Sequence, residues 1–201
     1  MASPVGHALM GVALYAATVE RPRLLRRWGW CALCVGFSVL PDLDFIIPAV
    51  VGRIDWAHAL HRSFTHTVFF AGGVAAVWLI VARAFKSGAR TAALGAAVMV
   101  LVCLLAHLGL DVINEDTTRP YGVSVFWPAW GKSFHHPIGH LPRVEKLTYG
   151  DIVSWHNVKV ALTEIALFGG LILAVLGVRF AMGRLRRSRG AAEPASQPPA
   201  T

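Results

Sequence analysis

Residues 91–110 contain no Asp, Glu, Lys or Arg, and His107 near their end stands four positions before Asp111, just past it. About 20 predominantly apolar residues are what a helix needs to cross a hydrocarbon core ~30 Å thick. Within lipid every backbone N–H and C=O must be satisfied internally, so such a chain folds as helices or as a closed barrel. The stretch is continuous rather than alternating in polarity, which selects helices. Composition agrees: of 201 residues, 55% are hydrophobic and 15% charged, where soluble domains carry about 25% charged.

Four other segments share this character. Ser3 and Pro4 read as the N-cap and first position of a helix running to about Thr18. A second segment, 28–40, is short for a span and stops at Pro41, which places Asp42 and Asp44 at a helix end below one membrane surface. Residues 64–82 and 160–182 complete the set, while 45–51 is too short to cross and reads as interfacial or re-entrant. The expected fold is an all-α integral membrane bundle of about five helices, one domain over residues 1–189. A tail rich in Ala, Pro and Ser at 190–201 reads as disordered. A long extracytoplasmic loop, 112–159, joins helices four and five, and its length marks it as a functional loop or cap. The first basic residue is Arg21, so the start reads as a retained helix rather than a signal peptide. Cys31, Cys34 and Cys103 lie inside apolar runs and read as packing residues.

The net charge is +8, and its distribution decides what it means. Arg21, Arg23, Arg26 and Arg27 follow the first segment, Arg83, Lys86 and Arg90 the third, and arginines from Arg179 to Arg189 the fifth. The positive-inside rule puts these in the cytoplasm and, with an odd number of spans, the N-terminus outside. The basic excess is then a topology signal and a contact for anionic membrane lipids. Nucleic acid is not an expected partner, because it would want a soluble basic face. All nine histidines fall on the outer side, with every acid except Glu20 and Glu193.

Ionisable side chains near membrane helices cost about 2.5–3.5 kcal/mol each at the helix centre, so their clustering points to use. His7, Asp42, Asp44, His61, His66, His107 and Asp111 converge at one depth, and imidazoles with carboxylates are what a divalent cation binds. Taken singly, each group has a plainer reading: a polar helix end for His107 and Asp111, an N-cap or interfacial turn for Asp42 and Asp44, snorkelling for His61 and His66. Together they exceed the four ligands of one tetrahedral zinc, which leaves room for two or more ions. Such a site suits phosphoester hydrolysis, with an aspartate such as Asp42 as general base and Arg62 as a bidentate phosphate clamp. Shallow placement favours a lipid or lipid-linked substrate. Glu164, ionisable within a span, is a candidate to back a ligating histidine. His135, His136, His140, Asp151 and His156 read as surface or lid residues, and Trp127, Trp130, Phe134 and Trp155 as an interfacial belt.

An N-terminal His, Leu-Pro-Asp-Leu-Asp at 40–44, His-Arg-x-x-x-His at 61–66, His-x-x-x-Asp at 107–111, Tyr121-Gly122 and Trp127-Pro128 occur in that order. This combination, over roughly residues 5–130, resembles the YdjM-like family of membrane-bound metal-dependent hydrolases. The resemblance implies a multi-pass protein of a bacterial or archaeal cytoplasmic membrane with His7, Asp42, Asp44, His61, His66, His107 and Asp111 at its metal site. The link from Asp111 to Tyr121, which contains Glu115 and Asp116, is longer than the family's usual one. Three rivals remain at this stage: a divalent-metal transporter, a b-type cytochrome using His66 and His107, and a non-enzymatic membrane protein. No internal repeat supports the transporter, and haem would leave the aspartates unexplained.

Overall fold

The computed structural model describes residues 2–18, 28–85, 90–114, 122–134 and 142–192. The basic turn at 19–27, Lys86, Glu115, Asp116, Tyr121, His135, His136, His140 and the tail from 193 lie outside the described residues. The elements are all helical: α1 (Pro4–Thr18), α2 (Trp28–Val39), α3 (Leu43–Val50), α4 (Ile54–Leu60), α5 (Val68–Phe85), α6 (Arg90–Ile113), α7 (Tyr149–Ile152) and α8 (Trp155–Ala192). Two short 3-10 turns, Leu40–Asp42 and Phe64–His66, join α2 to α3 and lead into α5. The only strand-like pairing among the described residues is one isolated bridge, Val123 to Phe134.

By length and composition three helical paths could cross a bilayer: Trp28–Val50, Arg90–Ile113 and Tyr149–Leu185. A fourth arises if Ile54–His66 and Val68–Ala84, bent by 68°, count as one span. The all-α membrane bundle stands, but hydropathy's first segment, α1, has 15 residues and at ~1.5 Å per residue falls short of the core thickness. α2, α6 and α8 enclose it: Gly6, His7, Gly11, Ala13, Tyr15 and Ala16 are buried. Gly11 allows the closest approach, since a Cβ there would lie 2.7 Å from the Cys34 carbonyl oxygen on α2. Small residues at such crossings let membrane helices pack without a hydrophobic driving force.

Two expectations change along the chain. Pro41 does not end the second segment. It sits at the start of a 3-10 turn, where its missing N–H costs nothing, and the helical path carries on to Val50. Asp42 and Asp44 therefore lie within that path rather than at its end. Residues 45–50, expected as part of a separate interfacial or re-entrant piece, instead belong to α3 and complete that path from Trp28.

α1 and α8 run in the same direction: Ser3 meets Glu164 near their starts, and Arg179 donates to the Ala17 carbonyl farther along. α5 and α6 pack through Ala71, Ala75, Val100 and Leu104, while Tyr15, Cys34 and Cys103 knit α1, α2 and α6. Outward-facing Val77, Ile80, Leu94, Val98, Leu162, Ile165, Leu173 and Phe180 are exposed, an apolar exterior suited to lipid.

Candidate metal centre

The polar groups reach the bundle interior from several elements far apart in the sequence. Ser3 caps α1, its Oγ accepting from Val5 and Gly6 N–H at 3.1 and 3.2 Å. This cap starts the helix whose next turn presents His7. Asp42 ends the 3-10 turn after α2, Asp44 lies in the first turn of α3, and His66 ends the turn before α5. His107 and Asp111, four apart on α6, share one face.

His7, Asp42, His66, His107 and Asp111 meet in one buried cluster; the three histidines are fully enclosed. One Asp111 oxygen lies 3.3 Å from His7 Nε2, and the other lies 3.4 Å from both His66 Nε2 and His107 Nε2. Asp42 is set opposite, one oxygen 3.8 Å from His7 Nε2 and the other 3.7 and 3.8 Å from His66 and His107. These separations exceed ordinary hydrogen bonds, and neither carboxylate has a hydrogen-bond partner. Donors held ~2.0–2.1 Å from a tetrahedral ion stand about 3.3 Å from one another. The Asp111 distances match that edge length, and those to Asp42 are slightly longer.

The outer nitrogens fix the imidazoles. His107 Nδ1 donates to the Ser38 carbonyl at 2.8 Å. Thr65 spends its single proton on Asp44, so its oxygen accepts from His66 Nδ1 at 3.0 Å. In neutral rings both Nε2 atoms then carry lone pairs, and they face each other 3.2 Å apart. Two lone pairs at that distance, flanked by two orphaned carboxylates, are an arrangement that a cation between them stabilises. The donor set fits a divalent cation. His7, Asp42, His107 and Asp111 form one candidate ligand group, and Asp42, His61 and His66 a second that shares Asp42.

Asp44 takes a different place from Asp42. Its oxygens face Nδ1 of His61 at 2.8 Å and Nδ1 of His66 at 3.3 Å, across the His66 ring from the cluster. Carboxylates commonly back ligating histidines in this way. The Nε2 of His61 accepts from Lys146 Nζ at 2.7 Å, and Lys146 also lies 4.6 Å over the Phe45 ring. Burial is the largest influence on the Lys146 ammonium and lowers it to about 8, against the pull of Asp42, Asp111 and Asp44.

A cavity of about 620 Å³ opens beside the cluster, with Asp42, His61 and Lys146 in its wall. Arg62, in a left-handed conformation at φ 63°, is half-buried and is not part of that wall. Glu164 is fully buried but turns to Ser3, accepting from its N–H at 2.7 Å and from its hydroxyl. It thus holds the cap of α1 instead of pairing with a histidine ring, because α8 passes the start of α1 at that level. His156 accepts no role in the cluster; its Nε2 donates to the Arg143 carbonyl at 3.0 Å. Asp151 caps the short helix α7 through Thr148.

Several contributors carry no signal of their own in the sequence. Lys146 comes from the long loop, in a strap pinned by Asn157, whose amide donates to the Glu145 and Asp151 carbonyls at 2.6 and 2.7 Å. Ser38 acts through its backbone, which no side-chain pattern reveals. Thr65, next to His66, is visible only once the ring's second nitrogen is considered.

Searches of curated proteins and of solved structures return no match. The model of the YdjM inner membrane protein family matches residues 1–184, which include the whole cluster, the Lys146 strap and Glu164. The chain belongs to the YdjM inner membrane protein family.

Proposed function

We propose that this protein is a membrane-embedded metal-dependent hydrolase that cleaves a phosphoester in a lipid or lipid-linked substrate. What carries the reading is the pair of Nε2 lone pairs of His66 and His107, 3.2 Å apart between buried Asp42 and Asp111. His7, Asp42, His66, His107 and Asp111 would hold the metal, with zinc favoured by the mix of imidazole and carboxylate donors. The donors outnumber the ligands of one tetrahedral ion, which supports a site for two. When bound, divalent ions supply an acidified water and neutralise charge on phosphoryl oxygens.

The chain's own groups do the rest. Asp42 belongs to both the cluster and the cavity wall, so it is the carboxylate placed to take a proton from a water attacking a bound ester. Asp44 and Ser38 hold His66 and His107 in the tautomers that face inward. Lys146 meets negative charge in the cavity, and Arg62 offers a planar fork for a phosphate that extends beyond it.

Metal analysis of purified wild type, Asp42→Asn and Asp111→Asn, with phosphomonoester and phosphodiester probes on the same samples, tests this. Wild type should retain a divalent ion and hydrolyse one probe class, with both lost on chelation. Asp111→Asn should lose the ion while keeping its helical content. A wild type devoid of metal, or metal-loaded protein that carries the ion across vesicles without hydrolysing any ester, would overturn it.

A further inference from the structure

We propose that the cavity beside Asp42 binds a single-chain phosphate amphiphile, its chain lying between α1, α3 and α8 and its head against Lys146. This names a substrate class for the hydrolytic site and so rests on that reading.

The cavity is two-natured. Val5, Ile46, Ala49, Val50, Val158 and Ala161 make its walls apolar. Its other polar groups are engaged inside the protein: Tyr149 Oη donates to the Ala49 carbonyl at 3.0 Å, Asn157 holds the strap, and Ser3 is bound to Glu164. The remaining polar wall is the Lys146 ammonium, bonded to His61 at 2.7 Å, together with Asp42, a buried carboxylate with neither oxygen hydrogen-bonded. An apolar sleeve ending in the Lys146 ammonium complements an anionic head on a hydrocarbon chain, and a cation held by Asp42 would offset the repulsion of that carboxylate. A free phosphate or sugar phosphate would leave the sleeve empty.

Size selects one chain. At about 620 Å³ the cavity falls within the usual range for one small ligand. At ~30 Å³ per water-sized unit it holds on the order of twenty such units. Within the walls that accommodates one long chain and a phosphate, and a second chain would have to lie outside them.

The full chain in phosphatidylcholine nanodiscs, photolabelled with dodecyl phosphate carrying a mid-chain diazirine, tests the proposal. Adducts should map to Ala49 on α3 and Val158 on α8. Ala161→Phe, which fills the sleeve, should lower the yield about tenfold without changing metal content. Lys146→Gln should weaken binding about tenfold through loss of a charged hydrogen bond, and Lys146→Arg should restore most of it. Dodecyl maltoside should compete poorly and inorganic phosphate only weakly. Adducts scattered over α5, yields indifferent to Ala161→Phe or Lys146→Gln, or equal competition by a two-chain phosphatidic acid would overturn the proposal. Labelling that persists with this dependence in a protein without metal or hydrolysis sinks the hydrolase reading and leaves the amphiphile site standing. Metal and hydrolysis intact, with labelling blind to both substitutions, gives the reverse.

Discussion

Asp44 and Asp111 are both acids beside the same histidines, yet the geometry gives them different work, and Asp44→Asn separates the two. Asp44 accepts from His61 Nδ1 at 2.8 Å and from the Thr65 hydroxyl, and faces His66 Nδ1 at 3.3 Å. The amide keeps its volume but loses the charge and turns an NH₂ toward at least one of these donors. His66 then loses the partner chain that holds its Nε2 lone pair inward. Removing a group that backs a ligating histidine costs 10- to 100-fold in metal affinity, about 2 kcal/mol at 1.36 kcal/mol per decade. Asp111→Asn removes a carboxylate that faces three imidazoles at 3.3–3.4 Å; breaking a buried charged set costs roughly 3–5 kcal/mol. Titration of apo protein against a fluorescent zinc chelator, with a thermal melt of each apo form, measures both losses. Equal losses would make Asp44 a direct ligand, and an unchanged affinity in Asp44→Asn would remove it from the site altogether.

Glu164→Ala strands the Ser3 N–H and hydroxyl that it accepts from; at ~1.5–3 kcal/mol for a charged hydrogen bond, the melting temperature and the zinc affinity should both fall. Glu164→Gln should show a smaller loss in the same assays. Gly11→Val places a Cβ 2.7 Å from the Cys34 carbonyl oxygen, and overpacking of about 1–3 kcal/mol should appear as a lower melting temperature with normal zinc affinity per folded molecule. Asn157→Ala releases the backbone of the Lys146 strap, so limited proteolysis should cut residues 142–152 faster while metal content holds. Chelation should lower thermal stability by roughly 2.7 kcal/mol relative to protein in metal at a hundredfold excess over Kd, and unchanged melting would contradict binding to the folded state.

The apolar segments were legible because lipid leaves helices little choice: α5 and α6 begin and end within a few residues of where hydropathy and arginines set them. Pro41 misled, since a proline reads as a stop while its first-turn position lets a new helical turn begin. The convergence of His7, Asp42, His66, His107 and Asp111 was legible in outline from polarity against topology. What could not be read was the division of labour among them. Whether Asp44 faces an ion or a ring nitrogen depends on about half a turn of helical phase, which the 3-10 segment at Leu40–Asp42 resets. Glu164 stood out as an ionisable group in a span, but its partner Ser3 lies 161 positions away, beyond the reach of any local pattern. Lys146 sits among prolines in a connection without periodicity, and only the folded strap brings it to His61.

The start of the chain is a working part of the protein. Ala2 is 3% exposed and packs with Leu110 and Phe168, and the next residue is the one that Glu164 grips. Four positions later comes a histidine of the cluster. A fusion or purification handle joined ahead of Ala2 would press on that grip and tilt the imidazole. An inactive preparation tagged at the front would therefore say little about the chemistry of the chain itself.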